Sequence, residues 1–310
     1  MKEAIETREL IALHDSTVAV RGTYHKPCDE RFHSLPAEIR RDRVGVIFLN
    51  PWYPTRAWKG DSAVYWADSF AELGYPCFRL DMPGCGDSEG DLPADLVNFI
   101  NTGGYASIIA GKIKELTVRF NLSGIVMVGL CAGAVSAIYA AAASPECKGI
   151  VLMDPFFNLP VAPRSEAREE LSARVAEYRL GRLAIKTYHR IMALRLLLLG
   201  DQPPQNTNFP LLKRWKELES TGLPILVLES RIPRGVEFDY VRYNGARADG
   251  NGRVTVRLIE GAYHTFTDAI GRAGVLQNTE SWLNALFPLR KNEDVPANAS
   301  GLQVVEKTYV

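Results

Sequence analysis

Gly129-Leu130-Cys131-Ala132-Gly133 follows an apolar run, Gly124-Ile125-Val126-Met127-Val128, and leads straight into Ala132–Ala143, which is rich in alanine. A strand buried in a core, then a sharp turn with small residues two positions to either side of its centre, then a helix: this is the pattern of a nucleophile elbow. The turn holds its central residue in a strained backbone conformation, so bulky flanking side chains are sterically excluded. It lifts that residue above the edge of a sheet and sets the N-terminus of the following helix against it, with its N–H groups pointing outward. Here the central residue is Cys131, a thiol where the pattern usually carries a hydroxyl.

Outward from the elbow, strand and helix patterns alternate. Glu9–His14 and Thr17–Tyr24 read as an opening antiparallel pair joined at His14-Asp15-Ser16. Val44–Leu49 is a continuous apolar run, as expected of a strand covered on both faces. Ala63–Leu73 has helical spacing and stops at Gly74. Cys77–Leu80 reads as the next strand, and the turn-rich Asp81-Met82-Pro83-Gly84-Cys85-Gly86-Asp87-Ser88 follows it. Asp95–Phe120 predicts a long helix that Gly103-Gly104 can break, and Gly149–Met153 predicts a buried strand after the elbow helix. A helix around Leu211–Glu219, strands at Ile225–Leu228 and Val254–Ile259, and a helix over Thr265–Phe287 complete the pattern.

Between these, from about Asp154 to Gly222, the alternation lapses, and Ser165–Leu199 is helical in pattern. The expected organisation is a core over residues 1–154 and 210–290, a helical cap inserted at 155–209, and a polar C-terminal tail at 291–310. Repeated strand–helix units imply an α/β fold with a mostly parallel sheet covered by helices. In such folds ligands bind beyond the carboxyl ends of the strands, where Cys131 stands.

Composition narrows the function classes. The chain has 310 residues, 46% hydrophobic and 23% charged, with 36 basic and 36 acidic side chains, so no bulk charge draws it to nucleic acid or anionic membrane. Arg182, Lys186, His189 and Arg190 read as a solvated helix face. The five cysteines, Cys28, Cys77, Cys85, Cys131 and Cys147, are scattered without a Cys-x-x-Cys pair. That argues against a disulfide framework or zinc site and fits reduced thiols in the cytoplasm. The opening Met1-Lys2-Glu3-Ala4-Ile5-Glu6 is too polar to read as a secretory signal. Leu194–Leu199 falls far short of the ~20 residues of a membrane span. No cofactor or metal is implied, and the sequence leaves the oligomeric state open.

A nucleophilic thiol needs a base, and the base an orienting partner. Of five histidines, His264 alone follows a late strand in a glycine-flanked loop, Gly261-Ala262-Tyr263-His264-Thr265-Phe266, from which an imidazole can reach over the elbow. The acid is less regular. It is expected after Ile225–Leu228 in a Gly-x-x-Asp turn, but the chain reads Glu229-Ser230-Arg231-Ile232-Pro233-Arg234. Asp154, at the end of the strand after the elbow strand, is the favoured candidate; Glu229, Glu237 and Asp239 are alternatives, as is a dyad with no acid. A thiol, with a reference pKa of ~8.5, depends less on an acid than a hydroxyl does.

Acyl transfer also needs N–H donors for a developing oxyanion, each typically worth ~3 kcal/mol of barrier. Ala132 is one candidate. In Asn50-Pro51-Trp52-Tyr53-Pro54, Pro51 has no N–H, so Trp52 is the natural second donor and Tyr53 the next. Trp52, Tyr53 and Trp58 are the expected substrate-pocket residues.

Together the Asn50-Pro51-Trp52 turn, the Asp81–Ser88 loop, the Gly129–Gly133 elbow, the cap and the Gly261–Phe266 loop resemble the α/β-hydrolase superfamily over roughly residues 40–290. Asn50-Pro51 and Asp87-Ser88-Glu89-Gly90 look like the serine-aminopeptidase-S33-like hydrolases, and the Gly-Leu-Cys element is similar to their exosortase-associated branch. The departures are cysteine for serine and the missing Gly-x-x-Asp. Dienelactone hydrolases and polyhydroxyalkanoate synthases also place cysteine at the elbow, so the resemblance implies an ester, lactone or thioester substrate, including a carrier-bound thioester. It leaves hydrolase (esterase or thioesterase) and acyltransferase both open. Peptidase activity is disfavoured, because a thiolate is expelled more readily than an amine from a tetrahedral adduct. A non-catalytic binding protein of the same fold is the contrasting reading, with Cys131 as an inert small apolar residue.

Overall fold

The computed structural model describes residues 7–14, 18–28, 43–52, 55–159, 206–230 and 253–289. Tyr53, Glu237, Asp239, the predicted helical stretch Ser165–Leu199 with its basic face, and the tail from residue 290 lie outside the described residues.

Eight strands form one sheet: β1 (Arg8–His14), β2 (Ala19–His25), β3 (Val44–Leu49), β4 (Cys77–Leu80), β5 (Gly124–Leu130), β6 (Cys147–Met153), β7 (Ile225–Ser230) and β8 (Val254–Ile259). Their spatial order is β1-β2-β4-β3-β5-β6-β7-β8. The β1–β2 and β2–β4 pairs are antiparallel, and every other pair is parallel. The mostly parallel sheet is the one that the strand–helix alternation predicts, and its order is that of the α/β-hydrolase fold implied by the resemblance.

The six helices are α1 (Ser62–Glu72), α2 (Leu96–Asn101), α3 (Ala106–Arg119), α4 (Ala132–Ala141), α5 (Phe209–Thr221) and α6 (Ala269–Leu286), counted among the described residues. The strand period of two sends alternate side chains to opposite faces. Ile47, Leu49, Ile125 and Met127 join a core with Ile113 of α3, Ile138 of α4 and Trp215 of α5. Val46, Phe48, Val126 and Val128 join a second core with Trp66 and Phe70 of α1 and Trp282 of α6. Both faces of β3 and β5 are therefore dry, which is why these strands read as unbroken apolar runs. All ten residues of α4 are buried; its alanines let it lie close to the sheet with neighbouring helices around it.

Two helices differ from the sequence expectation. Asp95–Phe120 is split into α2 and α3 at Gly103, where φ is +80° and a Cβ would stand 2.8 Å from the Tyr139 ring. The last helix starts at Ala269, not Thr265, because the Asp268 carboxylate accepts from Gly271 N at 2.8 Å and caps it there. The same carboxylate accepts from Tyr263 N at 3.1 Å, so one side chain anchors both the helix and the loop of His264.

The chain leaves the core after β6 and returns before α5 at adjoining points. Asn158 and Thr207 form an isolated antiparallel bridge, with Leu159 N donating to Asn206 O at 2.7 Å and Asn208 N to Phe157 O at 2.6 Å. The expected cap lies between these two ends, and residues 160–205 of it are outside the described residues.

Candidate active site

The registers Leu49↔Gly129, Leu130↔Met153 and Ser230↔Ile259 bring the carboxyl ends of β3, β5, β6, β7 and β8 to one edge of the sheet. The loops carrying Trp52, Cys131, Asp154 and His264 all leave from that edge.

Cys131 has φ +56° and ψ −113°, a strained conformation for a residue with a side chain. Its N–H donates to Met153 O at 2.9 Å, and its carbonyl accepts from Ala134 N at 3.0 Å and Val135 N at 3.2 Å, which ties the turn into both β6 and α4. The small flanks have a measurable cause. A Cβ on Gly129 would lie 2.4 Å from the Gly133 carbonyl carbon, and one on Gly133 would lie 2.3 Å from Leu49 O. Both obstacles are backbone, which cannot step aside as a flexible side chain can. Cys131 is half-buried, at the N-cap of α4, and the Ala132 N–H opens that helix.

Asp154 stands immediately after β6 with φ +45° and is 6% exposed. Its own N–H donates to Leu228 O at 2.8 Å. Its Oδ1 accepts from Ser230 N at 2.8 Å and its Oδ2 from Ser230 Oγ at 2.7 Å, so the buried carboxylate is well supplied with donors. Oδ2 also lies 2.7 Å from Nδ1 of His264. A carboxylate there makes Nδ1 the protonated nitrogen and Nε2 the basic one. Of the carboxylates weighed from the sequence, Asp154 is thus bonded to His264. Glu229 is 5% exposed within β7, opposite Leu258 of β8.

Ser230 carries no motif in the sequence, where a carboxylate is the residue expected after β7; its two bonds to Asp154 make it part of the constellation. Arg56 was also missed, having no motif around it. Its main-chain N–H donates to Asp81 Oδ1 at 2.6 Å and its guanidinium to the other Asp81 oxygen, to Asp87 at 2.7 Å and to Thr23 Oγ1 at 3.0 Å. Arg79 donates to Arg56 O at 3.1 Å. The Asp81–Ser88 loop therefore serves as a clamp on the segment just beyond Trp52. Gly86, with φ +51°, is required there, since a Cβ would sit 2.3 Å from Asp81 Oδ2.

The aromatic residues separate. The Trp52 indole stacks on Phe156, at 6.3 Å between centroids and 16° between planes, bridging the loops after β3 and β6 on either side of the elbow strand. Trp58, expected with it at the pocket, is instead a core side chain. It is 4% exposed and packs edge-on against Phe48 at 5.9 Å and Trp66 at 6.0 Å, on the α1 face of the sheet. Its φ of +62° turns the chain inward after the loop, an excursion that spacing along the sequence does not reveal.

Among the described residues, all five cysteines are free thiols, no group of three or more His, Cys, Asp or Glu is placed to hold a metal ion, and no helix is long and apolar enough to cross a membrane.

A strained elbow at the carboxyl end of a central strand, with an acid–histidine pair at the same edge, defines a class of hydrolytic α/β enzymes. The alpha/beta hydrolase family profile matches residues 45–269. The chain belongs to the alpha/beta hydrolase family and is a hydrolase by class. No curated protein matches it significantly. Solved structures share the fold. An esterase from Pyrococcus furiosus is 15% identical with a TM-score of 0.57, over 90% of this chain and 91% of that one. An alpha-beta serine hydrolase homologue from Coxiella burnetii is 14% identical with a TM-score of 0.53, over 89% of this chain and 99% of that one.

Proposed function

We propose that this protein is a cysteine-dependent acyl hydrolase acting on an ester, lactone or thioester. The observation that carries the reading is the His264–Asp154 hydrogen bond, 2.7 Å long, at the sheet edge where Cys131 is held at φ +56°. In this mechanism His264 Nε2 takes the thiol proton as Sγ bonds to the substrate carbonyl carbon. The oxyanion that forms is met by the N–H groups of Ala132 and Trp52. The C–O or C–S bond of the leaving group then breaks, and Nε2 returns the proton to it. Water attacks the thioester on Cys131, again giving its proton to Nε2; the C–Sγ bond then breaks, Sγ takes that proton back, and the acid product departs. Asp154 stays ionised throughout, holding the imidazole in register and stabilising its protonated form.

The alternatives that remain in view are transfer of the acyl group to an alcohol or amine, and binding without catalysis. Intact-mass measurement after exposure to a panel of esters, lactones and acyl thioesters separates all three. A hydrolase shows an acyl adduct on Cys131 that water clears, and the Cys131→Ala variant shows neither adduct nor turnover. An adduct cleared only when an alcohol or amine is added assigns transferase activity. Turnover that persists in Cys131→Ala refutes the thiol mechanism.

A further inference from the structure

On the Trp52 side of the elbow lies a cavity of about 20 Å³. Its walls are mostly apolar, with Leu49, Met82, Ile100 and Ile109 among them, and Asn50 and Ser136 also line it. Asn50 is packed on the first turn of α4: its main-chain oxygen is 2.9 Å from where a Cβ on Gly133 would stand, two residues beyond Cys131. Its side chain is anomalous. Asn50 is 8% exposed, and neither Oδ1 nor Nδ2 of its carboxamide has a hydrogen-bond partner. A buried amide left unpaired is destabilising, and a leucine of similar volume would fill such an apolar site without that cost. An amide with one acceptor and two donors, unpaired and beside a cavity that Trp52, the proposed oxyanion donor, also lines, is arranged to meet a group that arrives with the substrate.

We propose that Asn50 is a specificity-determining residue that hydrogen-bonds a hydroxyl on the acyl chain of the substrate, making short hydroxyacyl esters or thioesters the preferred class. This rests on the acyl-hydrolase reading of Cys131. The cavity takes a group the size of a hydroxyl or methyl. A hydroxyl pairs with the amide, whereas a methyl enters the same space and leaves the amide unsatisfied. Sites built around a buried polar group discriminate against the analogue lacking its partner far more strongly than apolar pockets discriminate by size.

The test compares lactoyl and 3-hydroxybutanoyl thioesters of N-acetylcysteamine with the propanoyl and butanoyl thioesters, following acylation of Cys131 by intact mass. In the wild type the hydroxyacyl pair reacts at least about tenfold faster. In Asn50→Leu that advantage falls to within about twofold, while the melting temperature is unchanged or raised. Equal rates for the two series in the wild type overturn the proposal, and this arm decides the matter even if Asn50→Leu fails to fold. So does a preference that survives in Asn50→Leu, or a melting temperature several degrees lower, which would assign the amide to internal structure such as a bound water. If no thioester acylates Cys131, the acyl-hydrolase reading fails by itself. The subsite is then tested on Cys131→Ala by saturation-transfer NMR with lactamide against propanamide. Binding of lactamide alone, lost in the double variant with Asn50→Leu, supports it; equal binding, or none, overturns it.

Discussion

Asp154 and His264 are 110 residues apart in the chain and meet through a 2.7 Å hydrogen bond between Oδ2 and Nδ1. The same carboxylate accepts two further bonds from Ser230, so its orientation is set by β7 as well as β6. This arrangement predicts a graded series. His264→Ala removes the base and lowers kcat by about 10²–10⁴. Asp154→Asn keeps the shape but favours the wrong tautomer, with a loss approaching ~10⁴ where the acid is essential and smaller where a thiol tolerates its absence. Ser230→Ala leaves the main-chain donor in place and lowers kcat by about tenfold or less. Steady-state rates on one good ester check the order; Ser230→Ala being as damaging as His264→Ala would contradict it.

The elbow glycines make a stability prediction that is independent of any substrate. Gly133→Ala drives a methyl to 2.3 Å from Leu49 O, and the β3 backbone is locked between β4 and β5. Overpacking of this kind costs about 1–3 kcal/mol, so the midpoint of urea unfolding should fall clearly. Ala134→Gly on the same helix serves as the control for a change in helix propensity without a clash.

Thiol labelling should divide the cysteines. Cys28 is exposed and Cys131 half-buried, while Cys77, Cys85 and Cys147 are buried. Burial raises the Cys77 thiol well above its ordinary pKa, raises Cys85 and pushes Cys147 up to about 12. Iodoacetamide at pH 8 on the native protein is therefore expected to modify Cys28 and Cys131 only, with the other three reacting after denaturation. Peptide mapping reads the result directly.

A pH dependence of stability follows from His25. Its ring is fully buried in β2, with Nε2 accepting from Arg79 Nε at 2.8 Å and Nδ1 bonded to Asp68 at 2.8 Å, while Arg8 also pairs with Asp68. Burial, and then the Arg79 charge, hold its pKa down at about 4, outweighing the upward pull of Asp68. The unfolded chain takes up this proton near pH 6.5 and the folded one does not. The contribution of neutral His25 to stability is thus complete above about pH 6.5 and lost as pH falls toward 4, by roughly 3 kcal/mol. Unfolding free energies from pH 7.5 to 4.5 should slope less steeply in His25→Gln than in the wild type. Identical slopes would remove His25 as the cause.

How much of this was readable in the chain depends on whether the signal is local. β3 and β4 stand where their buried runs end, since two-sided burial and the flanking turn residues mark both limits. The start of α6 was misplaced by four residues because its cap, Asp268, is committed to the loop as well as the helix. Trp58 reads as a pocket aromatic because it lies near Trp52 in sequence, yet it belongs to the core on the opposite side of the sheet from the one Trp52 packs against.

The sequence alone determined the architecture and the elbow. Both rest on patterns of a few adjacent residues: alternation of apolar runs with helical spacing, and small side chains around Cys131. Only the tertiary structure decided which carboxylate bonds to His264, that Ser230 supports it, that Arg56 clamps the loop after β3, and that the Asn50 amide is buried without a partner. Those relations join residues from different strands, and they are set by sheet order and register, which bring distant strand ends to one edge and leave no trace in local spacing.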